Sequence, residues 1–214
     1  MTGEARAAAK ERLLLAVLPH VAFDGWGRAA LEAGAGDAGM TPADVGRYFP
    51  GGARDAIADF SDWADLRMAA AMAAHDLAAL RVRDRIALAV RLRFEALGPH
   101  REAVRRGLSW LALPTNAGLG ARLLYRTVDA MWRAIGDRPA DFSFYTKRAL
   151  LAGVVSSTTL CWLGDDSEGF AETDAFLDRR IADVLRIPAV MARGERLFRR
   201  LPDPFRILRG VRAG

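Results

Sequence analysis

The chain has 214 residues, 51% of them hydrophobic and 27% charged, with a formal net charge of +5. That length and apolar share suit one folded domain and exclude a disordered chain, and the single cysteine, Cys161, excludes an intrachain disulfide and reads as a small core residue. The charge is uneven: residues 1–60 carry a net −2, residues 61–185 a net +1 and residues 186–214 a net +6, so the basic balance belongs to the last segment.

Strong helix formers dominate, punctuated by Gly and Pro, and β-branched runs are nearly absent, which predicts an all-α protein. The start holds Glu4 and Glu11, and Leu13 to Leu18 is short for a signal-sequence core, so no targeting segment is expected. Leu13, Leu14, Val17, Leu18 and Val21 recur at helical spacing and predict a first helix to about Phe23. A second short helix covers Arg28 to Ala33. After a Gly-rich turn, Thr41 as N-cap and Pro42 as first helical residue begin a third, which Phe49-Pro50-Gly51-Gly52 stops. A long helix from Ala53 to about His75 carries Ile57, Phe60, Ala64, Met68 and Met72 on one side. Next, Ile86, Val90, Phe94 and Leu97 share a face, with Arg91, Arg93 and Glu95 elsewhere and Gly98-Pro99 at the end. Further helices are expected over 100–112, 116–135, 141–163 and 168–186, with a break at Pro188.

This order of short helix, turn, short helix, long helix and helical body resembles the helix-turn-helix layout of TetR-type regulators. The expected division is a single helical domain over 1–185, with a degenerate helix-turn-helix region at 12–75 and a body at 81–185, followed by a basic segment over 186–214. A DNA reader needs base-reading and phosphate-neutralising side chains on its second short helix. Here that helix, TPADVGRYF, has Asp44 and Arg47 as its only charged residues, within a segment of net −2. Nucleic acid is therefore not an expected partner.

Nor do the residues assemble a catalytic set. His20, His75 and His100 are far apart, no Glu-x-x-His or cysteine pair occurs, and no phosphate loop or nucleophile elbow is present. The histidines read as surface or helix-end residues, and Asp165, Asp166 and Glu168 read as caps at a helix start rather than as a metal site. No enzyme activity, cofactor or metal is expected.

The run Ala149–Leu163 has fifteen residues without a charge and four consecutive hydroxyls, Ser156 to Thr159. It is shorter than the roughly 18–20 apolar residues that cross a bilayer. Apolar groups fall all round it, the mark of a buried helix, and Ala152, Gly153, Ser156 and Ser157 let a second helix approach, so burial against the same chain and a partner subunit is expected. Two readings stand: a plain core helix, or one wall of an apolar ligand cavity formed by Leu151 and Val155 with Trp110, Leu124, Val128 and Trp132 from preceding helices. At the C-terminus, Val190, Leu197, Phe198 and Leu201 recur at helix-compatible spacing and Arg199 and Arg200 flank them. Such a helix suits an anionic membrane surface or docks on its own protein.

One block is more specific. Gly136-Asp137, Asp141-Phe142, Phe144-Tyr145-Thr146-Lys147-Arg148-Ala149, Thr158-Thr159, Asp166-Ser167 and Phe176 to Ile181 resemble the C-terminal block of the ninth Coq protein family of ubiquinone biosynthesis. The resemblance extends over roughly residues 13–200. It implies a TetR-like fold without DNA binding, a homodimer, an apolar pocket for isoprenoid quinone-type lipid, and a C-terminal membrane helix. It also implies an accessory role, presenting lipid to the di-iron demethoxyubiquinone hydroxylase, with Phe144, Tyr145 and Arg148 as candidate partner contacts. Many members have Trp where this chain has Phe144. The Ala/Arg/Gly bias and the expected lack of a transit peptide look like a bacterial member, peripheral on the inner membrane. The competing reading is a TetR-type transcriptional regulator with an apolar ligand pocket.

Overall fold

A computed structural model describes residues 2–136 and 143–198, the latter by backbone alone at 143–146, 185 and 187–198. Every regular element among them is helical: α1 Gly3–Asp24, α2 Arg28–Asp37, α3 Pro42–Tyr48, α4 Ala53–Met72, α5 Val82–Leu97, α6 Arg101–Leu111, α7 Ala117–Ala134, α8 Ser143–Gly164 and α9 Ala171–Phe198, with short 3-10 turns between several of them.

The helix starts follow local chemistry. Thr41 closes a reciprocal box at α3, its hydroxyl accepting from the Asp44 N–H while the Asp44 carboxylate accepts from the Thr41 N–H at 2.9 Å. Among the described residues two prolines sit in helix interiors. Pro19 lies within α1, and α9 runs through Pro188, so the break expected there does not occur. A proline forfeits one intrahelical bond and crowds the carbonyl four residues back. In both places the turns on either side carry the helix on.

α1 packs chiefly on α2, α4 on α5 and α7, and α8 on α7 and α9, while α1 also reaches α6. The α1–α2 crossing is close: a Cβ built on Gly34 would stand 2.6 Å from Val17 Cα. One apolar core runs from Leu13 and Val17 through Phe60 and Met68 to Val128, Trp162 and Leu177. No described helix is long and apolar enough to cross a membrane.

α8 buries one face within the chain and leaves another bare. Its inner face is buried at Leu151, Val154, Val155, Thr158, Thr159 and Trp162. Ala149, Gly153, Ser156 and Leu160 form an exposed stripe along the helix, Leu160 at 67% exposure. These residues recur three or four apart and so share one face, which no other described residue covers. Cys161 is half-buried rather than fully enclosed.

Candidate functional site: an apolar cavity between α4, α5, α6, α7 and α8

An apolar cavity between these helices has a volume of about 400 Å³, within the range of small-molecule sites. Ile57, Phe60 and Ser61 of α4 and Arg93 and Leu97 of α5 line one side. α6 offers Ala103, Val104, Gly107, Leu108 and Leu111, and α7 offers Gly120, Leu123, Leu124 and Thr127. Val155, Ser156, Thr159 and Leu160 of α8 complete the wall. The exposed members, Ala112, Ala117, Ala121, Ser156 and Leu160, gather at the α6–α7 connection and the outer face of α8 and make the mouth.

Sequence chemistry sets this shape. Small residues (Ala103, Gly107, Ala117, Gly120, Ala121) leave room where larger ones would fill the space between α6 and α7. Gly107 also admits Trp26, whose indole N–H donates to the Ala103 carbonyl at 2.9 Å; a Cβ on Gly107 would meet that nitrogen at 3.3 Å. Trp26 thereby pins the α1–α2 connection onto the cavity wall.

The inner end is polar. Arg93 Nε donates to Asp65 Oδ1 at 2.7 Å, Thr127 Oγ1 donates to Asp65 Oδ2 at 2.9 Å, and Arg93 Nη2 lies 3.4 Å from both Ser61 Oγ and Thr127 Oγ1. Both ionic side chains are deep, at 11% and 9% exposure. A buried pair of this kind persists because each partner compensates the other's desolvation. The sequence pattern places Arg93 off the apolar face of α5, and pairing across 28 positions is invisible to local periodicity. A signal does exist: Asp65 interrupts the otherwise apolar stripe of α4.

Of the six residues expected to line a cavity, Leu124 and Val155 do so. Val128 and Trp132 lie one and two turns farther along α7, and Leu151 one turn earlier on α8; all three pack into the core instead. The helical phase is common to all of them, but the cavity occupies only the first turns of α7 and the later turns of α8. Trp110 sits beside the lining stripe of α6, partly buried against the core.

Arg148 differs from the expectation of a surface contact. It is 5% exposed, and its Nη2 reaches Asp129 Oδ1 at 2.7 Å, joining α8 to α7. Phe144 and Tyr145 occupy the first turn of α8, and Val190, Leu197 and Phe198 the end of α9; their side chains lie outside the described residues. Arg199, Arg200 and Leu201 lie wholly outside them.

Of the acidic cluster, Asp165 serves as a cap, while exposed Asp166 faces Arg101 at 3.7 Å. Asp165 accepts from the N–H and hydroxyl of both Ser167 and Thr173, at 2.6 to 2.8 Å, and these bonds hold its carboxyl well below the usual carboxylate range. Among the described residues no group of His, Cys, Asp and Glu could hold a metal ion. His20 pairs with Asp37 at 2.7 Å, and His75 bonds the Ala71 carbonyl at 3.0 Å. His100 is less exposed than expected: it meets Phe60 and Trp63 edge-on, and burial pushes its pKa down.

A family model described as COQ9 matches residues 117–188, the span of α7, α8 and most of α9. The ubiquinone biosynthesis protein COQ9, mitochondrial, of Rattus norvegicus is 33% identical over 185 residues, covering 83% of this chain and 59% of that protein. The Homo sapiens protein of the same name is 31% identical over 185 residues, covering 83% and 58%. The chain thus spans about three fifths of the length of these curated relatives. Among solved structures, a TetR transcriptional regulator from Nitrosomonas europaea superposes with a TM-score of 0.67 at 18% identity, covering 82% of this chain and 97% of that one. That likeness shows a TetR-like helical fold.

Proposed function

The chain is a member of the COQ9 family, and from that premise we propose that it serves ubiquinone biosynthesis as a lipid-binding accessory protein. It holds an isoprenoid quinone intermediate at the membrane surface and presents it to the demethoxyubiquinone hydroxylase without transforming it. The observation that carries this reading is the apolar cavity of about 400 Å³, open beside the exposed face of α8. A water takes about 30 Å³ of liquid, so the space holds roughly 13 groups of that size. That accommodates a ring head with the first isoprene units, and the rest of a long tail leaves through the mouth.

Further features support the assembly side of the reading. The exposed stripe of small residues Ala149, Gly153 and Ser156, ending in apolar Leu160, suits close helix contact with a second copy. Phe144 and Tyr145 at the start of α8 are the proposed hydroxylase contacts; Arg148, turned inward, supports their helix. The basic segment 186–214, with Val190, Leu197, Phe198, Arg199, Arg200 and Leu201, is the proposed membrane contact.

The regulator reading is less favoured. Asp44 is committed to the α3 cap, which leaves Arg47 as the one cation of α3, whereas phosphate contacts need several. Lipid extraction of the purified full chain with mass spectrometry, and flotation with anionic vesicles, test the proposal. An isoprenoid quinone and vesicle binding are expected. A lipid-free protein that ignores vesicles contradicts it, and salt-dependent DNA binding revives the regulator reading.

A further inference from the structure

We infer that the cavity takes its ligand head first, with Arg93 donating a hydrogen bond to a neutral carbonyl or ether oxygen at the inner end. The inference rests on the lipid-cavity reading and adds the polarity of the ligand and its direction.

Among the described residues, Arg93 is the one ionic side chain lining the cavity. Its Nε is taken by Asp65 and its Nη2 makes two long contacts, to Ser61 and Thr127. Nη1 has no hydrogen bond among the described residues, and it is not one of their sealed-off, unpartnered polar atoms. The guanidinium therefore keeps donors for a molecule in the cavity. The other polar groups are spoken for or lie elsewhere. Thr159 Oγ1 donates to the Val155 carbonyl at 2.7 Å, Thr127 Oγ1 donates to Asp65, and Ser156 is at the mouth. The wall between is apolar. A ligand with one polar end finds the charged donor of the described lining at the inner end.

Charge decides the class of head. Asp65 already neutralises Arg93 at 2.7 Å. A carboxylate or phosphate head would add an unpaired negative charge to a buried neutral pair, which is strongly unfavourable. A neutral oxygen adds no charge and gains a charge-assisted bond. Quinone carbonyls and ring methoxy groups have this chemistry, whereas a fatty acid or a phospholipid headgroup does not.

The test titrates the full chain, by calorimetry, with a geranylated dimethoxy-methyl-benzoquinone, with geranylbenzene and with geranylbenzoate. One charge-assisted hydrogen bond predicts about a tenfold preference for the quinone over geranylbenzene, and no gain for the benzoate. In the paired variant Asp65→Leu/Arg93→Met the preference falls below about twofold while geranylbenzene still binds. Isotope-edited infrared spectroscopy of the wild-type complex gives a second readout that needs no variant. A carbonyl stretch lowered from its value in hydrocarbon is expected. Equal affinity for quinone and geranylbenzene with an unshifted carbonyl overturns the head-first placement and leaves the lipid cavity standing. Benzoate binding as tight as the quinone overturns the neutral-head assignment. If no probe binds, the cavity reading fails and this inference with it.

Discussion

The rings of Phe94 and Trp162 stack with centroids 5.0 Å apart and planes within 1° of parallel, tying α5 to α8 at the centre of the core. Arg101 lies over the Trp162 ring at 5.8 Å and over Phe170 at 5.3 Å, and donates to the Asp165 carbonyl at 2.6 Å. The end of α8 is thus held by an aromatic stack and by two cations of α6, Arg101 and Arg105. Arg105 donates to the Leu163 carbonyl at 2.5 Å, and both face the negative end of the helix. Trp162 is 1% exposed, so Trp162→Ala is expected to cost about 3–5 kcal/mol. Equilibrium denaturation checks this; a loss near zero would show that the stack is dispensable.

Gly34 is expected to tolerate no side chain. A Cβ there would meet Val17 Cα and Cγ2 at 2.6 Å, and backbone cannot swing aside as a long side chain can. Gly34→Ala is expected to destabilise by roughly 1–3 kcal/mol through forced separation of α1 and α2, although alanine is the better helix former. A rise in Tm would show that the two helices part easily.

Thr158 points the other way. It is fully buried, and its hydroxyl makes no hydrogen bond among the described residues, whereas its neighbours Ser157 and Thr159 bond back to carbonyls of their own helix. Thr158→Val removes the desolvated hydroxyl at nearly constant shape and is expected to stabilise by about 1 kcal/mol. Thermal denaturation reads this as a Tm increase of roughly 2–4 °C.

Two groups shape the acid limb of stability. Burial lowers the pKa of His100 from its ordinary 6.5, so the unfolded chain binds that proton first as pH falls and stability declines from about pH 6.5 downward. The hydrogen bonds from Ser167 and Thr173 depress the Asp165 carboxyl, so its contribution is complete above the ordinary carboxylate value of 3.8 and is lost below it. His100→Phe is expected to flatten the decline between pH 7 and 5.5. Asp165→Ala is expected to lower Tm at pH 7, with the gap to wild type closing below about pH 4. Unchanged pH profiles in both variants would contradict these assignments.

Much of the fold is legible in the residues themselves. Thr41-Pro42 announces α3, the spacing of Leu13 to Val21 gives the inner face of α1, and apolar phase brings Leu124 and Val155 to the cavity. Periodicity carries the angle about a helix axis and not the position along a neighbour, which is why Val128, Trp132 and Leu151 share the phase without reaching the cavity. Arg93 and Arg148 are cations that local pattern assigns to solvent, yet Asp65 and Asp129 draw them inward. Both partners sit on other helices, beyond any local window. Pro188 reads as a break because proline opposes a helix locally, and α9 continues through it. The exposed stripe of α8 is legible in part: its small residues announce a close helix approach. Which of them face inward and which the described chain leaves uncovered depends on how α7 and α9 pack against α8.

Native mass spectrometry of the full chain with a prenylated benzoquinone, set beside the variant Leu124→Trp, tests the central claim most directly. Leu124 lines the cavity, and a tryptophan there fills part of the space. A quinone adduct on the wild-type protein that is lost in Leu124→Trp is the expected result. No adduct on the wild type, or one that persists undiminished in the variant, contradicts the cavity as the lipid site.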